Sequence, residues 1–191
     1  MTTIPDSPCA SRAPAQADGF DVLDICHRQT VLAIGKLAAH ITRLSIHGPD
    51  DAARSLAAEI LHHFVATARQ HHEDEERHVF PRLVASGDAE LVQNVLRLQE
   101  DHDWLEEDWM EIPPHIAAVA HGHIGHDLDL LRAGAATFTA LSHDHMAMEE
   151  SCIYPQARAQ LGARLRYAMS REMQEVSPLA ETWRHTCHTP H

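Results

Sequence analysis

Aromatic residues make up only 5% of this 191-residue chain, and Val, Ile and Thr are too sparse to form the alternating runs of a sheet. Ala, Leu, Glu, Arg and His dominate instead, which argues against a β-sandwich or barrel and predicts an all-α protein. Basic residues are scarce too: 15 Lys and Arg stand against 28 Asp and Glu, for a formal net charge of -13. No Lys/Arg-rich segment offers a basic patch, so neither nucleic acid nor an anionic membrane surface is expected as a partner. The N-terminal MTTIPDSPCASRAPAQAD has no basic n-region and no apolar h-region. It is read as a disordered tail, residues 1–18, on a cytoplasmic protein. The four cysteines, Cys9, Cys26, Cys152 and Cys187, show no Cys-x-x-Cys spacing. Reduced thiols are therefore expected in place of a disulfide framework or a thiolate zinc site, with Cys26 and Cys152 as packing residues.

What the chain has in abundance is histidine, 18 in all, and two of them open a repeat. Residues 71–81, HHEDEERHVFP, recur in altered form at 145–155, HMAMEESCIYP, so His-x-x-x-Glu-Glu-x-x-x-[Phe/Tyr]-Pro is written twice in one frame. On an α-helix residues i and i+4 share a face. His71 with Glu75, and His145 with Glu149, would each present an imidazole and a carboxylate to one point. A single His/Glu pair in so histidine-rich a chain could arise by chance on a solvated helix face. Two copies that also agree in Glu76 and Glu150, in Phe80 and Tyr154 and in Pro81 and Pro155 are far harder to obtain that way.

Helical periodicity falls in four stretches. The first spans residues 20–47, with Val22, Ile25, Leu32, Leu37, Ile41 and Leu44 as its apolar stripe, and stops at Gly48-Pro49. The second spans about 51–85 and stops at Ser86-Gly87. The third starts near Asp88, carries Leu91, Val95, Leu98, Leu105 and Trp109, and is broken or kinked at Pro113-Pro114. The fourth runs to about Leu161. Short turns between long helices make antiparallel neighbours, hence an up-down four-helix bundle over 19–162, followed by a short C-terminal helix and tail over 163–191. The segment 113–125 stays open between loop and short helix.

In an antiparallel hairpin, residues at equal height are equidistant from the turn. The midpoint of His27 and His71 is Pro49; that of His71 and His102 lies between Ser86 and Gly87; that of His102 and His145 lies between His123 and Ile124, within 122–125. All three coincide with turn signals, so His27, His71, His102 and His145 can share one layer. Imidazoles and carboxylates without thiolate suit iron, manganese or zinc. If Glu75 and Glu149 bridge, six side chains can hold two ions and leave positions open for a small ligand.

Together, His27 in DICHRQ, HHEDEERHVFP, His102 in QEDHDW and HMAMEESCIYP resemble the hemerythrin-like HHE domain, over roughly residues 20–160. The resemblance implies two iron ions in a non-haem, carboxylate-bridged centre, with His27, His71, Glu75, His102, His145 and Glu149 as ligands. His72 follows as a further candidate, since the matching residue is a ligand in some relatives; its other reading is a flanking hydrogen-bond donor. The resemblance also implies binding of, or response to, O2 or another small redox ligand. Turnover of peroxide or nitric oxide by a di-iron oxidoreductase, and non-redox metal buffering, are the alternatives. The oxygen-carrying members have a second His four residues after the third-helix His, where this chain has Glu106, and a final Asp in His-x-x-x-x-Asp spacing. Glu76 and Glu150 read as outer partners or surface acids, and His63 as a core-edge residue.

Overall fold

A computed structural model of the chain describes residues 18–121 and 127–176. They form an antiparallel up-down four-helix bundle with a short C-terminal helix, and no strand occurs among them. The first bundle helix is α1 (Gly19–His47). The second is built end to end from α2 (Asp51–His62), a π-helical turn (His63–Ala68), α3 (Arg69–His78) and α4 (Phe80–Val84). The third is α5 (Ala89–Glu111), followed by the short α6 (Pro113–Ala120). The fourth comprises α7 (Leu128–Met148), a second π-helical turn (Glu149–Ile153) and α8 (Tyr154–Gln160), after which α9 (Ala163–Val176) completes the chain described. No helix of the described residues is long and apolar enough to cross a membrane.

Local chemistry places the helix ends. Four Asp residues act as N-caps: Asp18, Asp50, Asp88 and Asp127 each accept a hydrogen bond from a backbone N–H of the first turn. These N–H groups have no partner within the helix, so an Asp side chain there is worth about 1 kcal/mol. Gly48 and Gly87 close the first two hairpins at φ 70° and 73°, a region that suits glycine. Pro81, Pro113 and Pro155 all lie in the first turn of a new helix, where the missing N–H is tolerated. The ambiguity over 113–125 thus resolves as a helix break at Ile112 followed by a short helix. The glycine segment expected to form the third turn, 122–125, lies outside the described residues, as do the tail before Asp18 and the one after Val176.

One expectation needs correction. On α1 the buried positions include Phe20, Leu23, His27, Ile34, Leu37, Ile41 and Leu44, a stripe at three-, four- and seven-residue spacing. Leu32 lies two residues from Ile34, about 200° round the helix, and is 67% exposed; Ile25 is only partly buried. The apolar residues of the core fall into two clusters. One contains Ile34, Leu37, Ile60, Ile116, Leu131 and Phe138, with Ile116 of α6 closing that end of the bundle. The other contains Phe20, Leu23, Phe80, Leu98, Ile153 and Met173, the last from α9. On the four rods the histidine and glutamate positions fall where these clusters meet, so a polar layer is bounded above and below by hydrocarbon.

Candidate metal centre

Burying ionisable groups in a core is costly unless they are paired or coordinate a cation. Yet His27, His71, Glu75, His102, His145 and Glu149 are all buried in this one layer, with both glutamates fully inaccessible. Their donor atoms converge. His27 Nε2 lies 2.9 Å from His71 Nε2 and 3.1 Å from Glu149 Oε2. His145 Nε2 lies 3.0 Å from Glu149 Oε1, and His102 Nε2 lies 3.4 Å from Glu75 Oε2 and 3.9 Å from Glu149 Oε1. His71 Nε2 lies 3.5 Å from Glu75 Oε1. Donors bonded at about 2.1 Å to a common ion stand ~3.0 Å apart at right angles and ~4.2 Å apart in line, and every one of these separations is close to that range. Several are not aligned as hydrogen bonds: both Glu149 oxygens, Glu75 Oε2, His102 Nε2 and His145 Nε2 are buried without a hydrogen-bond partner. Buried polar atoms left unsatisfied and aimed at one place are what a cation site requires.

The donors divide into groups, each with all its atoms within 4.8 Å: His27, His71, Glu75 and Glu149; Glu75, His102, His145 and Glu149; and His72, His102 and His145. The two glutamates belong to both four-residue groups. His72, half-buried, stacks on His102 with ring centroids 4.0 Å apart and leaves its Nδ1 without a hydrogen-bond partner. One step from His71 is 100° round the helix. That turn carries His72 away from α1 toward α5 and α7.

The repeat in the sequence is matched by a pseudo-twofold arrangement in space. Glu76 accepts from His102 Nδ1 at 2.8 Å, and Glu150 accepts from His27 Nδ1 at 2.9 Å. Phe80 lies over His102 with centroids 5.6 Å apart and rings inclined at 20°; Tyr154 lies over His27 at 5.4 Å and the same 20°. A carboxylate on Nδ1 holds the imidazole so that Nε2 faces the centre. At the centre itself, two differences between the motifs break the symmetry. His72 in the first motif corresponds to Met146 in the second, and Phe80 corresponds to Tyr154, whose hydroxyl donates to Glu75 Oε1 and lies 3.1 Å from His27 Nε2. The role of Tyr154 is not evident from the sequence, where the aromatic serves only as a repeat marker; its signal was the one-atom difference from Phe80.

The electrostatics reflect a site in need of cations. Burial opposes the charge on His27 and His102, but Glu149, Glu75 and the outer Glu150 or Glu76 outweigh it and hold their pKa values up to about 9 and about 10. Burial and neighbouring imidazoles push His71 and His72 well below the usual histidine range. Burial, then repulsion from Glu149, raises Glu75 to about 7. Burial also disfavours the Glu149 charge, but His145, His102 and His27 overcome it and lower its pKa. Two protons on imidazoles thus do, in the metal-free centre, part of what a cation would do.

The family profile of the hemerythrin HHE cation binding domain matches residues 18–157. The chain belongs to this family. The match runs from the N-cap of α1 into α8, takes in the whole polar layer and stops short of α9. An uncharacterized protein of Haemophilus influenzae is 29% identical over 90 residues, 47% of this chain and 52% of that protein. The chain thus spans about half the length of this relative. As a hemerythrin-like cation-binding domain, the chain places its His/Glu cluster where the two apolar halves of the bundle meet. Glu106, exposed on α5 four residues beyond His102, lines an adjacent cavity and is absent from the converging donor groups. His63 stands at the core edge with Nε2 3.2 Å from Thr30 Oγ1, while His123, His126 and the histidines of the C-terminal tail fall outside the described residues.

Proposed function

We propose that this chain holds a non-haem di-iron centre and binds or responds to O2 or another small redox ligand there. One ion takes His27 and His71; the other takes His102, His145 and His72; Glu75 and Glu149 serve both. The observation that carries this reading is that two separate donor groups share the same two buried carboxylates. Two bridging carboxylates among nitrogen ligands suit a pair of iron ions, and bound iron would supply redox chemistry toward a small ligand. With two imidazoles against three, the His27 side has fewer protein ligands and so more room for an exogenous molecule.

The protein's own residues do the remaining work. Glu76 and Glu150 orient His102 and His27, the apolar clusters bound the layer above and below, and the Tyr154 hydroxyl offers a proton beside Glu75 and His27. Cytoplasmic residence, with no nucleic-acid or membrane partner, is part of the same proposal. Turnover of peroxide or nitric oxide uses the same ligands and is separated from simple binding by a steady-state assay. The direct test is metal analysis after expression in iron-supplemented medium. About two iron ions per chain are expected, with His71→Ala and Glu149→Ala each losing at least one. Full retention in either variant would remove that residue from the ligand set, and zinc in place of iron would favour buffering.

A further inference from the structure

The centre has a neighbour that a diatomic ligand does not need. A cavity of about 620 Å³, partly open to solvent, ends on His27, His71, His72 and His145. A molecule such as O2 or peroxide occupies a volume comparable to the ~30 Å³ share of a water in the liquid, so the cavity is some twentyfold too large for it. Its size falls instead in the ~300–1,000 Å³ range of sites for organic molecules.

The walls define what fits. Phe64, Trp109 and Phe138 pack against one another with centroids 4.5 to 5.5 Å apart, and Leu105, Met110 and Met146 extend the lining. The π-helical turn His63–Ala68 contributes Phe64, Val65 and Ala68 to one side, and a π turn widens a helix locally. Polar groups along the wall are already engaged: Thr30 with His63, Ser142 with the Phe138 carbonyl, and Arg69 with Glu73. His71 Nδ1, His72 Nδ1 and both ring nitrogens of His145, at the inner end, are buried without a hydrogen-bond partner. Val65 and Met110, 63% and 71% exposed, are also part of the lining and leave apolar surface at the solvent side. Glu106 and Glu107 are exposed there, where water and salt screen them over about 10 Å.

We propose that the cavity binds an organic carboxylate with an apolar body, its head against the metal centre and its chain along the aromatic wall. This rests on the di-metal reading. Two divalent cations would outweigh the two buried glutamates and leave a positive inner end, whose complement is an anion, while the walls leading to it are mostly apolar. At about 30 Å³ per heavy atom, the volume admits a body on the order of ten to twenty atoms.

The test is calorimetric titration of the full, iron-loaded chain with butyrate, hexanoate, octanoate and decanoate, with decan-1-ol as the headless control. Each buried methylene is expected to tighten binding about fourfold. Decan-1-ol should bind at least tenfold more weakly than decanoate to the loaded protein, and the two should converge on the metal-free protein. Ala117→Trp, which fills the cavity from α6, should weaken decanoate at least tenfold and leave iron content unchanged. Met110→Glu, at an exposed position with no core packing to disturb, should weaken decanoate severalfold. Affinity independent of chain length, or decanoate binding indifferent to both variants, would overturn the proposal while leaving the metal reading intact. A chain that takes up no metal would refute the metal reading, and the proposal with it.

Discussion

Removing the cation and then raising the pH probes the charge balance of the centre most directly. In the metal-free protein His27 and His102 stay protonated because Glu149 and Glu75 overcome the effect of burial, with pKa values of about 9 and about 10 against 6.5 in the unfolded chain. A group whose folded pKa is raised stabilises the fold fully below its unfolded pKa, and that contribution is lost as pH rises through the folded value. At 1.36 kcal/mol per unit, His27 contributes roughly 2–3 kcal/mol near pH 7 and almost nothing above about pH 10. His102 acts in the same sense, but the two share Glu149, so their contributions fall short of additivity. Glu75, raised to about 7 by burial and by Glu149, likewise loses its contribution as pH rises through that value. His71 and His72 have depressed pKa values, so their contribution is present above 6.5 and is lost only as pH falls through their folded values. Metal-free protein should therefore lose about 3 kcal/mol or more between roughly pH 7 and 10. Denaturant titrations in the presence of a chelator measure this, and Glu149→Gln should flatten the slope. The loaded protein should diverge from it, since a cation replaces the same protons and binds more tightly as they leave. A metal-free denaturation midpoint that stays constant over this interval would refute the charge assignment.

Three further outcomes are expected. Glu150→Gln and Glu76→Gln, which loosen His27 and His102 respectively, should each weaken one ion by about 10–100-fold in chelator competition, and unchanged affinity would mean that these contacts do not orient the ligands. His72→Ala should weaken the ion on the His102 side at least ~10-fold and spare the other, whereas two equally tight ions would leave His72 as a flanking ring only. Gly19→Ala would place a Cβ 2.6 Å from Met169 Cγ, so the Met169 side chain or α9 itself must shift; a loss of about 1–3 kcal/mol in thermal or denaturant unfolding is expected, and a neutral result would show that this contact yields freely.

Much of this architecture was legible in the sequence because it depends on local periodicity. The i, i+4 spacing of His71 with Glu75 and of His145 with Glu149, the helix start near Asp88 and the two hairpin glycines all act within a few residues. Equal rise on antiparallel rods then brings His27, His71, His102 and His145 to one height. What periodicity could not supply is the direction each side chain takes once the rods pack. Leu32 looked apolar enough for the core and lies on the solvent face. His72 adjoins His71 in sequence, yet packs against His102 on another helix. Glu75 and Glu149 come to serve both donor groups only when α3 and the end of α7 face each other across the core. The cavity, too, exists only in three dimensions: it arises where a π turn, a proline break and three aromatic rings from separate helices leave space that no single segment encodes.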